Sequence, residues 1–280
     1  MLLPLAGCAA APPRAAPPGP DPTGPGFAEL ERRFDARLGV YALDTGSGRE
    51  VVHRADERFA LCSTFKPLAA AAVLDRTPPG HLDERVRWTA ADLVEYSPIT
   101  EPALDAGLTI RELCDAAIRF SDNTAGNLLL ADLGGPGEVT AFARELGDPV
   151  TRLDRWEPEL NTAIPGDERD TTSPRAIAGL YRELVVGRRL DTADRELFTG
   201  WLVGNTTGDT RIRAGLPAGW PVGDKTGGGE YGSLNDVAVA WPPQRAPIVL
   251  ATLSARPAVD AVADPALLAE AARLVVAAFT

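Results

Sequence analysis

Apolar residues at Phe27, Leu30, Phe34 and Leu38 recur at helical spacing with charged residues between them, which predicts an amphipathic helix closed by Gly39. The pattern then changes. Residues 40–43, the turn Asp44-Thr45-Gly46-Ser47-Gly48 and residues 50–53 predict a β-hairpin. Pro67 cannot sit deep inside a helix, so a helix carrying Lys66 must begin close to Ser63. Residues 68–74 are almost all alanine and leucine, as in a buried central helix. Helical patterns follow over 109–119, 125–131, 137–146, 174–186 and 192–203. After Gly204 strands return near 221–225, 235–241 and 248–254, and an apolar helix over 265–279 closes the chain.

Helix and strands at both ends with helices between them predict an α/β (α+β) fold. The ends pair into one antiparallel sheet flanked by the N- and C-terminal helices, with an inserted all-helical domain alongside. The expected units are an α/β domain of residues 27–60 plus 204–280 and a helical domain of 61–203. The cleft between them is the expected place for a site. No internal repeat is visible.

Composition adds a leader and excludes some partners. Residues 9–26 are nearly all Ala, Pro and Gly, which makes an extended tether rather than a core. Leu5-Ala6-Gly7-Cys8 resembles a bacterial lipoprotein box, with lipid attached at Cys8 after cleavage. The segment before it is too short for a signal and lacks a basic residue, so the true start is expected upstream. These features predict an extracytoplasmic protein, secreted or lipid-anchored. A net charge of −11 argues against nucleic acid as a partner. It leaves room for a small anionic substrate, since cations in a cleft can outweigh the global sign. The two histidines, His53 and His81, carry no metal-ligand spacing, so no metal or other cofactor is expected. A Ser-His-Asp triad would need one of them, and both read better as strand-end or surface residues.

Candidate chemistry begins with the lysines. The chain has 28 basic residues, yet only Lys66 and Lys225 are lysines, and both lie in short motifs. Arginine stays protonated, whereas a desolvated lysine amine can take a proton. Ser63, three residues before Lys66 on one helix face, gives that amine an alcohol to activate. At a helix start, the Ser63 N–H and the helix dipole favour developing negative charge, and Gly228 is the candidate second donor of an oxyanion hole. Ser121-Asp122-Asn123 precedes a helix and reads on its own as an N-cap. Glu157-Pro158-Glu159-Leu160-Asn161 alone reads as a solvated acidic loop, and Lys225-Thr226-Gly227 alone as a strand edge.

Together, in this order, the four motifs resemble those of a class A serine β-lactamase, over the chain from about residue 27 to its end. The resemblance implies that Ser63 is acylated by a β-lactam carbonyl, with Lys66 or Glu157 as base. It implies that Ser121 protonates the leaving nitrogen, and that Glu157 with Asn161 activates the deacylating water. Asn123, Lys225 and Thr226 are then substrate contacts, Tyr96 walls the entrance, and an Arg155–Asp170 ion pair closes the loop around Glu157. Many relatives carry an arginine a few residues after the Lys-Thr-Gly threonine; this chain has Gly232-Ser233-Leu234 there. Arg211 is the expected substitute, and Arg213 is expected to be structural. Carbapenem-hydrolysing relatives bridge the position of Cys62 to one just after Lys-Thr-Gly, but Gly228-Gly229 stands here. Unpaired thiols are therefore expected, in a monomer whose partners are a β-lactam and, through Cys8, membrane lipid. The rivals are a penicillin-binding D,D-peptidase, a β-lactam sensor and a serine esterase or amidase; Glu157 with Asn161 favours hydrolysis over the first two.

Overall fold

The first helix and the hairpin are both present, but the boundary between them is displaced. This computed structural model describes residues 24–280; the Cys8 box and nearly all of the tether lie outside the described residues. Helix α1 covers Gly24–Phe34, starting inside the expected tether and ending before Leu38. It stops because Asp35 takes a left-handed backbone (φ 46°) and the Glu31 carboxylate then accepts the Leu38 N–H at 2.9 Å. Strand β1, Arg37–Asp44, follows at once. Gly39, expected to end the helix, is inside this strand, where a Cβ would fall 2.5 Å from the Phe59 ring and 2.7 Å from Pro174. Strand β2, Glu50–His53, pairs with β1 in the expected hairpin, Leu43 opposite Glu50. Asp44 builds the turn by accepting from the N–H groups of Gly46 and Ser47.

The middle of the chain is mostly helical. After the short strand β3, Phe59–Ala60, a 3₁₀ turn over Cys62–Phe65 leads into α2, Lys66–Arg76, with Pro67 in its first turn. Lys66 to Leu74 are all buried, and the run of alanines lets neighbouring helices approach closely. Then come β4 (Arg85–Val86), β5 (Leu108–Thr109), α3 (Ile110–Arg119), α4 (Asn123–Leu133) and α5 (Pro136–Glu145). Strand β6 (Thr171–Thr172) precedes α6 (Pro174–Val185) and α7 (Thr192–Val203). The pairs β3–β6 and β4–β5 were not expected; each is two residues long and lies partly or wholly inside the segment read as all-helical.

The chain returns to the sheet through the short helix α8 (Ile212–Gly215), then β7 (Val222–Gly229), β8 (Ser233–Ala240), β9 (Ile248–Ala255) and α9 (Ala266–Phe279). The sheet is antiparallel throughout, in the order β2-β1-β9-β8-β7. Alternate residues feed two cores. Leu38, Val40, Ala42 and Ala238 join Phe27, Leu268 and Val275 under α1 and α9. Tyr41, Val237, Val239 and Leu253 join α2 to α7 on the other face. Each fully buried leucine there contributes about 2 kcal/mol. Strand β7, at the sheet edge, packs against the 3₁₀ turn that carries Ser63 and against α7.

Candidate active site

Ser63 sits on the 3₁₀ turn just ahead of α2, which places its hydroxyl beside the lysine one turn on. Lys66 Nζ donates to Ser63 Oγ at 2.9 Å, to the Ser121 carbonyl at 2.8 Å and to Asn123 Oδ1 at 2.6 Å. The same nitrogen lies 3.1 Å from Glu157 Oε1. Burial pulls the Lys66 amine below the ordinary lysine range, and Glu157 opposes that pull.

Glu157 is not the solvated loop carboxylate that its local sequence implies; it is 2 % exposed. Oε1 accepts from Ser63 Oγ at 3.3 Å and Oε2 from Asn161 Nδ2 at 2.5 Å. Two devices hold the loop. Asp170 accepts from the backbone N–H groups of Asp154 and Arg155 and from Arg155 Nε at 2.5 Å, so the expected ion pair is present. Asn127 clamps the backbone of Glu157 from both sides, accepting its N–H and donating to its carbonyl, each at 2.9 Å. Asn127 lies one helical turn after Asn123, on the same face of α4; that spacing was a usable signal, and sequence reading missed it.

Ser121 and Asn123 flank a structural aspartate. Asp122 caps α4 through Ala125 N–H and also accepts from the N–H groups of Ile99 and Thr100 and from the Thr100 hydroxyl. The stretch bearing Tyr96 is thereby tied to the Ser121 turn, and Asn123 N–H donates to the Tyr96 carbonyl. Cys62, Tyr96 and Ser121 all have left-handed backbones (φ 45°, 64° and 60°), conformations that a non-glycine residue holds only where its surroundings over-determine it.

Strand β7 supplies the opposite wall. Lys225 is fully buried and donates to Ser121 Oγ and to the Thr226 carbonyl, both at 2.9 Å. Burial holds its amine well below the lysine range, and Lys66 and Arg211 add repulsion. Thr226 Oγ1 is 2.5 Å from Thr207 Oγ1, a second residue that sequence reading missed and for which no signal was available. Arg211 Nη1 donates to the carbonyls of Gly227 and Asn235 at 2.7 and 2.6 Å, whereas Arg213 pairs with Asp224. Gly229 has no room for a Cβ, which would fall 2.6 Å from the Asn161 carbonyl and 2.9 Å from Cys62 Sγ. Cys62 and Cys114 are buried and unpaired.

These walls enclose a cleft of about 360 Å³. Ser63, Tyr96, Ser121, Asn123, Asn161, Arg211, Thr226 and Gly228 line it, together with Thr207 and Gly227. Lys66, Glu157 and Lys225 lie beneath that lining, fully or almost fully buried. The structure thus brings together every predicted site residue. His53 and His81 stand apart, in contact with Glu31 and Asp132 respectively. A second cleft of about 490 Å³, beside Asp75, Arg111 and Asp194, contains none of the predicted residues.

Ser63, Lys66 and Glu157 thus form a buried hydroxyl–amine–carboxylate cluster facing the strand that bears Lys225. Residues 26–279 match the model of the β-lactamase enzyme family. The chain belongs to that family. It is 63 % identical to β-lactamase AST-1 of Nocardia asteroides over 254 residues, 90 % of this chain and 82 % of that protein. It is 59 % identical to β-lactamase FAR-1 of Nocardia farcinica over 90 % of this chain and 81 % of that one. Among solved structures, the β-lactamase from Streptomyces albus G superimposes with a TM-score of 0.89 at 53 % identity, over 91 % of this chain and 98 % of that one. A variant of the class A β-lactamase of the last common ancestor of Gram-negative bacteria superimposes at 0.88 with 57 % identity, over 91 % and 98 %.

Proposed function

We propose that this β-lactamase is a class A serine enzyme that hydrolyses penicillins and cephalosporins through an acyl-enzyme on Ser63, and so confers resistance to them. The observation that carries the reading is the placement of Ser63 Oγ within hydrogen-bonding reach of both Lys66 Nζ and Glu157 Oε1. Ser63 Oγ attacks the lactam carbonyl and loses its proton to Lys66, or to Glu157 through a water; both groups are within reach. The backbone N–H groups of Ser63 and Gly228 receive the developing oxyanion. As the C–N bond breaks, Ser121 gives its proton to the ring nitrogen and is resupplied from Lys225 or Lys66. Glu157 then takes a proton from a water held with Asn161, and that water attacks the ester and releases Ser63.

The binding roles follow from charge and position. Lys225, Thr226 and Arg211 receive the substrate carboxylate, so that a chain of net charge −11 presents a locally cationic wall. Asn123 contacts the substrate's side-chain amide, and Tyr96, 58 % exposed, walls the entrance. The α/β unit of 27–60 plus 204–280 and the helical unit of 61–203 supply the two sides of the cleft. The protein acts as an extracytoplasmic monomer, with Cys8 as the point of lipid attachment.

The buried Glu157–Asn161 pair favours hydrolysis over the trapped adduct of a penicillin-binding D,D-peptidase or a sensor. The test is benzylpenicillin turnover followed by absorbance in the wild type and in Ser63→Ala. Many turnovers in the wild type and none in the variant support the reading. A stoichiometric adduct without turnover in the wild type contradicts it.

A further inference from the structure

Residues 94–97, which carry Tyr96, belong to no helix or strand, yet each is tied to the start of α4. Asn123 donates through Nδ2 to the Glu95 carbonyl at 2.8 Å and through its N–H to the Tyr96 carbonyl at 2.9 Å. Val94 N–H donates to Thr124 Oγ1 at 3.0 Å, and Ser97 Oγ accepts the Thr124 N–H at 3.3 Å. That N–H lies in the first helical turn, where no intrahelical acceptor is available. Tyr96 combines a left-handed backbone with an exposed ring, so its direction depends on the bonds that hold its neighbours.

Thr124 and Ser97 are both buried, and their hydroxyl oxygens are 2.7 Å apart. Ser97 Oγ also donates to the Val94 carbonyl at 2.8 Å. A hydroxyl has one proton to give, so with Ser97 donating to Val94, Thr124 must donate across the contact with Ser97. The reverse direction would leave the Thr124 proton with no acceptor, and the Val94 carbonyl with no donor, among the described residues. A closed circuit results. It runs from Val94 N–H to Thr124 Oγ1, from the Thr124 hydroxyl to Ser97 Oγ, and from the Ser97 hydroxyl back to the Val94 carbonyl. Two buried hydroxyls thus satisfy both backbone groups of one loop residue, and each bond polarises the next.

We propose that Thr124 and Ser97 are positioning residues that set the preference of the cleft for β-lactams bearing an acylated side chain over the bare bicyclic nucleus. Neither lines the cleft. The circuit holds 94–97 against the first turn of α4 and so keeps Tyr96 over the entrance. The Asn123 carboxamide is fixed at one end by Lys66 and at the other by Glu95, the residue beside Val94. Freeing Val94 therefore loosens both groups assigned to the substrate's side chain. Ser63, Glu157 and Lys225 are held by other bonds and keep their places.

The role in selectivity rests on the assignment of Asn123 and Tyr96 to the substrate's side chain; the hydroxyl circuit does not. Thr124→Val keeps the shape and removes the hydroxyl, and Thr124→Ser keeps the hydroxyl. Ser97→Ala opens the circuit from its other side, should the valine variant fail to fold. Hydrogen exchange at the Val94 amide, followed by NMR, should be about tenfold faster in Thr124→Val and Ser97→Ala than in wild type, and near wild type in Thr124→Ser. Unchanged exchange overturns the circuit. Kinetics compare benzylpenicillin with 6-aminopenicillanic acid, which lacks the acyl side chain. Thr124→Val should raise KM for benzylpenicillin about tenfold with little change in kcat, and leave 6-aminopenicillanic acid within about twofold of wild type. Thr124→Ser should restore benzylpenicillin. A loss shared equally by the two substrates, as general loosening or a disturbed Lys66 would give, overturns the positioning role, and so does failure of the serine rescue. Failure of the side-chain assignment would show in Tyr96→Ala as equal effects on both substrates, with the exchange pattern at Val94 intact; it would remove the role in selectivity and leave the circuit standing.

Discussion

Glu157 Oε1 lies 3.1 Å from Lys66 Nζ, a contact between opposite charges that are both fully buried. Such a pair is held by the hydrogen bonds around it as much as by its own attraction, and removing one partner strands the other. Here Lys66 also donates to Ser63 Oγ, the Ser121 carbonyl and Asn123 Oδ1, so the buried amine is held by three oxygens besides the carboxylate.

That arrangement makes the chemical identity of residue 66 decisive. Lys66→Arg keeps the charge but removes an amine that can lose its proton. Its kcat/KM for benzylpenicillin should fall by about 10²- to 10⁴-fold. Steady-state kinetics with circular dichroism to confirm folding would check this, and activity within about threefold of wild type would contradict the role of the amine.

The loop around Glu157 depends on Asp170, whose buried carboxylate is paired with Arg155. Arg155→Ala leaves that carboxylate with backbone donors alone and should destabilise the protein by about 3 kcal/mol. Deacylation should slow more than acylation, because Glu157 and Asn161 are carried by the freed loop. Urea unfolding and single-turnover kinetics measure the two effects separately.

Lys225 couples binding to stability with a definite sign. Its folded amine loses its proton below the value near 10.4 that the unfolded chain retains. Between those two pH values the unfolded state binds more protons, so wild-type stability rises with pH. Lys225→Met should therefore melt higher than wild type at neutral pH, with the advantage shrinking as pH approaches about 10. Its KM for a carboxylate-bearing β-lactam should rise about 10- to 100-fold. Thermal melts across pH would check the sign; an advantage growing with pH would contradict it.

Burial, with Glu157 adding repulsion, pushes the Cys62 thiol up to about 12, and burial also raises Cys114. Neither should react with a disulfide reagent in the native enzyme, and both should react after denaturation. A denatured, unreduced sample missing both thiols would reveal a Cys62–Cys114 bridge.

Much of this could be read from the residues. The hairpin was legible because alternation and turn chemistry agree over residues 40–53. The end of α1 was not, because Leu38 satisfies a helical spacing from Phe34 and equally the alternation of β1. Strands of two residues, such as Thr171–Thr172, are too short to carry any period. In the site, Ser63, Lys66, Ser121 and Lys225 belong to contiguous motifs. Glu157 looked like a solvated acid, and only its place in the series of four motifs marked it for chemistry. Asn127 and Thr207 meet Glu157 and Thr226 through juxtapositions that the fold creates, between segments distant in sequence.

In the proposed mechanism Glu157 drives release of the acyl group from Ser63. Intact-protein mass spectrometry of Glu157→Ala mixed with benzylpenicillin tests it most directly. The expected result is a stoichiometric adduct on Ser63 that persists while wild type clears its own. Turnover as fast as wild type, with no adduct accumulating, would contradict it.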